Sequence, residues 1–424
     1  MKPFRNLLKP ALFGAVFFFF SFGKTEAQEN NYSLAGLKLS DFKNANAIIR
    51  QRDLVFEVKS ASETSFKVHQ VVTLLNQSAE FDKLRLYYDG STSIKKISGK
   101  VYDAFGREIR KVKKDEIQDL SAISSSSIYE DDRVKLVDLA LKKFPVTVEF
   151  EYEEVTQNEL FIYGWDIQPY NTAVQSSTYT LITPEGFDVN YRLFNIDLEP
   201  ALELSDGKII RKWKVENLPA VKREPYAPPA IAVLPHLIFA PHEFNFHGYK
   251  GSWESWDDFG AFMSDLMAGT RELPENVKQE VRAQLDGLET TQEKVEALYR
   301  YLQDNTRYVS VQIDVSGWQP YPAKEVAEKK YGDCKGLSNY MKALLEEAGI
   351  EAWPALIYSN SKPNVITEDF VMPAFNHMVL YLPKENQWLE CTSNTYPAGY
   401  PGWHNQNRKA LLITGEGGKL VDTP

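Results

Sequence analysis

Only two cysteines occur in 424 residues, and one of them, Cys334, lies in the stretch YGDCKGLSNYMKALLEEAGI (331–350) where a helical pattern begins. Asp333 is placed to cap that helix, and Gly349 supplies a left-handed stop. Leu337, Met341, Leu344, Leu345 and Ala348 recur on one face. Cys334 precedes Leu337 by three positions and Met341 by seven, so it shares their face. Two readings of the thiol follow from position alone. Free cysteine is commonly buried as a small apolar side chain. A sulfur in a first helical turn also meets unpaired backbone N–H groups and the positive end of the helix dipole, which favour a nucleophilic thiolate.

A thiolate nucleophile needs an imidazole to share its proton and a group to orient that imidazole. The sequence beyond the helix offers both. EAWPALIYS (351–359) reads as a strand, and FNHMVLYL with QWLECTS reads as a hairpin. A connection over 382–385 sets Tyr381 against Asn386, Val379 against Trp388 and His377 against Glu390. Directly opposed side chains lie about 5 Å apart at Cβ, within reach of an imidazole–carboxylate hydrogen bond. Leu389 and Cys391 then point to the other face, which argues against a Cys334–Cys391 disulfide. A lone His or Glu on a strand is ordinarily solvent-facing or a satisfied core group; Cys334, His377 and Glu390 together tip the balance towards catalysis.

YGDCKG, FNHMVLYL and WLECTS, in that order, resemble the Cys-His-Asp core of the transglutaminase-like, papain-related family. GSWESWDDFGAFM and NTRYVSVQIDVSGWQPYPAKEVAEKKYGDCKG resemble the lead-in of a bacterial subgroup. In that subgroup the core follows a β-rich domain of unknown function, DUF3857, which DRVKLVDL and VTVEFEYEEV resemble here. The resemblance implies acyl transfer through a thioester, with Cys334 as nucleophile and His377 as general base and acid. Glu390 stands where the family usually has aspartate; one methylene longer, it reaches the imidazole if its strand sits slightly further back. Gly336 replaces the acidic residue common after DCK, with no consequence that follows from its chemistry. The oxyanion donors implied are the backbone N–H of Cys334 and a side chain upstream, with Trp318 or Gln319 in GWQPYP as candidates. Trp318 reads equally well as a turn-packing aromatic. The substrate implied is an amide of a peptide, a protein or cell-wall (peptidoglycan) peptide, and the chemistry requires no metal or organic cofactor.

Positioning these residues requires two differently patterned halves. From about 47 to 217 apolar residues alternate with period two, most clearly Val146, Val148, Phe150 and Tyr152, with turn signals such as Glu185-Gly186 and Asp206-Gly207 between runs. The pattern predicts an antiparallel β-sandwich-like domain over 28–217. SAISSSSIYEDDR (121–133) reads as a flexible polar loop within it, and REIRKVKKDE (107–116) as a solvated strand edge. Prolines 219, 225, 228, 229, 235 and 241 mark an extended, stiff connector over 218–249. After about 250 the period is helical: Phe259, Phe262, Met263 and Leu266 share a face, Pro274 opens a second helix, and Thr290 and Glu293 form a capping box ahead of Val295, Leu298, Tyr299 and Leu302. The fold class expected is α+β, with a transglutaminase-like/papain-like α+β domain over 250–424. No terminal element is legible at GGKLVDTP, and related proteins often carry a further β domain there, so a truncated C-terminus is an expectation.

Residues 1–27 have the layout of a secretory signal peptide: Lys2, Arg5 and Lys9, then the apolar run 11–23, then cleavage after Ala27. The run is too short to span a bilayer, no cysteine follows it for lipid attachment, and no later stretch is apolar enough to cross. The mature chain is therefore expected to be exported, most simply to the periplasm, with the extracellular space or cell surface as the alternatives. Removal of Lys2, Arg5, Lys9, Lys24 and Glu26 takes the net charge from −10 to −13. Such an acidic chain argues against nucleic acid and anionic lipid as partners. His236, His242, Glu243 and His247 have the side chains of a zinc site, but an extended backbone puts His247 on the opposite face, and the group reads as a polar inter-domain seam. The competing reading of the whole chain is a non-catalytic scaffold that keeps the core and binds a protein or glycan through its β domain, suggested by Glu390 and the weakly specified oxyanion donor.

Overall fold

The period-two runs become one eight-stranded sheet in the computed structural model, which describes residues 32–122, 127–130, 132–157, 161–312, 314–360, 366–372 and 374–424. The segment read as a signal peptide lies outside the described residues. In spatial order the strands are Ala201–Ser205, Lys208–Leu218, Thr172–Pro184, Ala47–Ser60, Glu63–Leu74, Val146–Gln157, Thr92–Tyr102 and Glu108–Lys111. The lysine-rich REIRKVKKDE stretch supplies the last of these, at a sheet edge. Neighbours run antiparallel with one exception. Ala47–Ser60 lies parallel to Thr172–Pro184, from Ala47 opposite Thr172 to Glu57 opposite Ile182. A parallel neighbour requires a long crossover, and the intervening strands supply it; local alternation carries no information on that direction.

A second layer closes the core. Trp165–Asp166, His236–Pro241 and Val189–Phe194 form a three-stranded sheet, and Lys83–Tyr88, Arg133–Asp138 and Gln118–Ser121 another. Phe239 from the first of these meets Tyr179 and Trp213 of the large sheet at ring-centre distances of 5.1 and 5.5 Å. Part of the proline-rich segment 218–249 is thus a strand of this layer rather than a connector, with Pro235 before it and Pro241 at its end, where a missing N–H costs least. Part of the 121–133 loop is also ordered: Ser127–Glu130 pairs in parallel with Ser310–Gln312, while 123–126 and 131 lie outside the described residues.

The second half contains α1 (Trp256–Leu266), α2 (Glu275–Leu285), α3 (Thr291–Asn305), α4 (Ala323–Lys329) and α5 (Cys334–Glu347). Thr290 and Glu293 form the reciprocal capping box that starts α3. Helices α1 and α5 pack on an antiparallel sheet in the order Gln387–Leu389, His377–Leu382, Trp353–Ile357, Lys409–Ile413, Gly418–Asp422. The last strand is the terminal element that GGKLVDTP did not reveal. Helix α5 is buried on nearly every side, Ser338, Asn339, Tyr340 and Ala343 included, because α2, α3 and α4 cover what the sheet does not. No helix of the described residues is long and apolar enough to cross a membrane.

The two halves share one hydrophobic cluster, which runs from Phe56 and Trp213 through Phe244 and Phe259 to Cys334 and Met378. Arg192 of the β half reinforces the seam. It donates to Asp369 Oδ1 at 2.8 Å and to Thr367 Oγ1 at 2.9 Å, and lies over the Phe370 ring.

Candidate active site

Local sequence chemistry places the sulfur. Asp333 adopts extended backbone and its Oδ1 accepts from the Gly336 N–H at 2.8 Å, so α5 starts at Cys334. The other Asp333 oxygen binds the ammonium of Lys335, and both side chains are buried. Burial would lower the Lys335 pKa, but Asp333 and Cys334 outweigh it and raise it. Cys334 is 8% exposed. It lines a cavity of about 340 Å3 together with His377, Trp318 and side chains of α1.

His377 is the first residue of its strand, and its Nε2 lies 2.8 Å from Glu390 Oε2. The hairpin register differs from the sequence expectation. Leu382 pairs with Gln387, Tyr381 with Trp388 and Leu380 with Leu389, so the connection is 383–386. The slip is two residues; side chains alternate with period two, so every face is preserved. Continued one step past Leu389, this register sets Glu390 opposite Val379 and diagonal to His377. Diagonal neighbours are about 7–8 Å apart, a gap that the longer glutamate spans. The relation between His377 and Glu390 therefore stands, by a geometry other than direct opposition.

Glu390 is held on every side. Thr392 donates its N–H at 2.9 Å and its hydroxyl at 2.6 Å to Oε1, and Asn405 Nδ2 donates to Oε2 at 2.8 Å. Tyr299 donates its hydroxyl to the Glu390 carbonyl at 2.6 Å. Burial alone would raise the carboxyl pKa, but the His377 and Thr392 hydrogen bonds lower it. Burial likewise opposes a charged imidazole at His377, yet Cys334 and Glu390 outweigh it and push that pKa up to about 10.

The remaining candidates separate. Trp318 lines the cavity and sits among Phe161, Phe246 and Phe259 at ring-centre distances of 5.7, 5.2 and 5.7 Å. Gln319 instead donates its amide to the Leu266 carbonyl at 2.8 Å and is not among the cavity residues. Both cysteines are free, and Cys391 packs in the core with Leu337 and Leu380, its thiol pKa pushed up by burial. His236 stacks on Phe194 at 4.6 Å, and His236, His242, Glu243 and His247 do not form a metal-ligating group among the described residues. Asn405 and Thr392 escaped sequence reasoning. Thr392 stands two residues after the carboxylate, a spacing at which hydroxyl and N–H can fold back on it. Asn405 arrives from a short turn, Trp403–Asn405, with no pattern to mark it.

Comparison with known proteins agrees with this architecture. The DUF3857 domain-of-unknown-function model matches residues 60–222, and the transglutaminase-like superfamily model matches 278–392. A solved structure from Parabacteroides distasonis, provisionally designated a protease, superposes with a TM-score of 0.68 at 16% identity, covering 89% of this chain and 72% of its own. At that identity it shows a shared fold alone. A structure from Cytophaga hutchinsonii, provisionally designated a cysteine protease, covers 86% of this chain and 87% of its own at 11% identity, but its TM-score of 0.23 carries no argument. Comparison with curated proteins gave no match. The chain thus joins a DUF3857-type β domain to a core of the transglutaminase-like superfamily.

Proposed function

We propose that this protein is an exported cysteine enzyme that transfers acyl groups from amide bonds of peptides, proteins or peptidoglycan peptide. The reading rests on one observation above the others: His377 is 2.8 Å from Glu390 on one side and lines the same cavity as Cys334. With Nε2 engaged by Glu390, Nδ1 is the ring nitrogen left to exchange a proton with Cys334 Sγ. The sulfur attacks the amide carbonyl carbon, a C–S bond forms, and His377 delivers its proton to the departing nitrogen as the C–N bond breaks. Water attacking the thioester returns the thiol and a carboxylate, which is hydrolysis or deamidation; an amine attacking it gives a crosslink. Glu390 orients the ring and balances its charge. The Cys334 N–H at the start of α5 and Trp318 on the cavity wall are the proposed oxyanion donors. The first 27 residues support export, with the periplasm as the compartment.

Iodoacetamide labelling of the folded protein tests this reading. Cys334 is expected to react faster than a model thiol while Cys391 stays unmodified, and Cys334→Ala should abolish amide turnover. A Cys334 no more reactive than a free thiol would sink the enzymatic reading and favour a non-catalytic scaffold.

A further inference from the structure

The cavity beside Cys334 says which amides fit. We infer that the enzyme selects peptides with a large apolar side chain, aromatic or long aliphatic, next to the scissile amide; this rests on the catalytic reading above. Besides Cys334 and His377, the walls are Phe259, Met263, Trp318, Leu356, Phe375 and Met378. The remaining lining residues are Gly317 and two with polar side chains, Asn376 and Lys335, each of which already has a partner. Asn376 accepts from the Ser359 N–H at 2.7 Å and donates to the Ser359 carbonyl at 3.2 Å. The Lys335 ammonium is paired with Asp333 in the interior.

An entering glutamine carboxamide or lysine ammonium would shed water and find, outside the reacting groups, only the hydrogen-bonding capacity left on the exposed Asn376 amide, whereas a phenyl or isobutyl group would gain by leaving water. A volume of about 340 Å3 lies at the small end of ligand pockets, so it takes a side chain with its backbone rather than a folded loop. The walls are preformed. Trp318 is clamped between Phe161 of the β half and Phe259 of α1, and the two methionines lend the adaptability that admits both ring and chain. The first domain thereby contributes to substrate choice, through Phe161 behind Trp318.

Four acetyl-Ala-Xaa chloromethyl ketones, with Xaa as Phe, Leu, Gln or Lys, test this on the full wild-type chain. The second-order rate of Cys334 alkylation is read by mass spectrometry, with iodoacetamide as the reference without a side chain. The Phe and Leu reagents are expected to react at least tenfold faster than the Gln and Lys reagents after normalisation for intrinsic reactivity. Introducing a carboxylate with Leu356→Glu should narrow or invert the preference for the apolar reagents over the Lys reagent. Equal rates across the four, with iodoacetamide still fast, overturn the apolar selectivity and leave the catalytic reading standing. A Cys334 inert to iodoacetamide and to all four removes both.

Discussion

Asn405 donates its amide to the same Glu390 oxygen, Oε2, that receives His377 Nε2. Its Nδ2 also donates to the Pro401 carbonyl at 2.8 Å, so the carboxylate is pinned from a turn fifteen residues further along the chain. A hydrogen bond to a charged group is worth about 1.5–3 kcal/mol. Asn405→Ala should therefore lower turnover by roughly 10- to 100-fold, mainly in kcat, because Asn405 is not among the residues lining the cavity. An equal fall in affinity with unchanged kcat would contradict a positioning role.

The diagonal placement of Glu390 makes a less intuitive prediction. Aspartate is the usual residue of the family at this step, yet Glu390→Asp should lower Cys334 reactivity about as much as Glu390→Gln. The shorter side chain must cross the same diagonal gap and loses both Thr392 contacts. Alkylation rates of Cys334 in the two variants check this. Wild-type reactivity in Glu390→Asp would mean that the strands can slide to direct opposition.

His377 should remain an imidazolium through neutral pH. Its folded-state pKa is about 10, against about 6.5 when unfolded. A raised pKa means that its contribution to stability is fully present below about 6.5 and is lost as pH climbs through about 10. Imidazole NMR signals should accordingly titrate far above 6.5 in the wild type. Both Cys334→Ala and Glu390→Gln should lower that midpoint, since each removes one of the interactions that oppose burial. A midpoint near 6.5 in the intact protein would show that the ring is not held by sulfur and carboxylate together.

What the sequence revealed follows the range of each signal. The start of α5, its Asp333 cap and the capping box of α3 depend on residues within four positions of one another, and they fold as read. Hairpin parity was legible because His377, Val379 and Tyr381 keep one face under any even slip, whereas the absolute register depends on which four residues make the turn. The parallel contact between Ala47–Ser60 and Thr172–Pro184 leaves no local trace at all. Nor does Asn405, whose meeting with Glu390 depends on the path of the chain between them. The strand at His236–Pro241 was hidden by its prolines, which mark ends as readily as linkers.

A second histidine gives the β domain its own pH dependence. His69 Nε2 lies 2.9 Å from Glu149 Oε1 and its Nδ1 3.9 Å from Asp53 Oδ2. The nearby Asp53 carboxylate and the hydrogen bond with Glu149 raise its pKa to about 9 against a smaller opposing effect of burial. Its contribution to stability should therefore be complete below about pH 6.5 and disappear as pH rises through about 9. The site is partly open to water, so the loss is discounted to about 1 kcal/mol. Urea midpoints at pH 6 and pH 10 should differ by more in the wild type than in His69→Asn, and an identical difference in both would assign the pH effect elsewhere.

The tight approach of α1 to the last strand is testable by a single methyl group. A Cβ added at Gly260 on α1 would lie 2.1 Å from Gly418 Cα, and one added at Gly418 would lie 2.0 Å from the Trp256 carbonyl oxygen. In an exposed helix Gly→Ala stabilises by about 1 kcal/mol, but here the methyl meets backbone, which cannot rotate away. Overpacking typically costs about 1–3 kcal/mol, so Gly260→Ala should destabilise despite its better helix propensity. The check is a lower urea midpoint at unchanged slope. Because α1 also carries Phe259 and Met263 on the cavity wall, pushing the helix off Gly418–Asp422 should blunt any discrimination between apolar and polar reagents at Cys334. A Gly260→Ala protein as stable as the wild type would mean that α1 does not rest on the terminal strand, and the cavity would lose the element that fixes one of its sides.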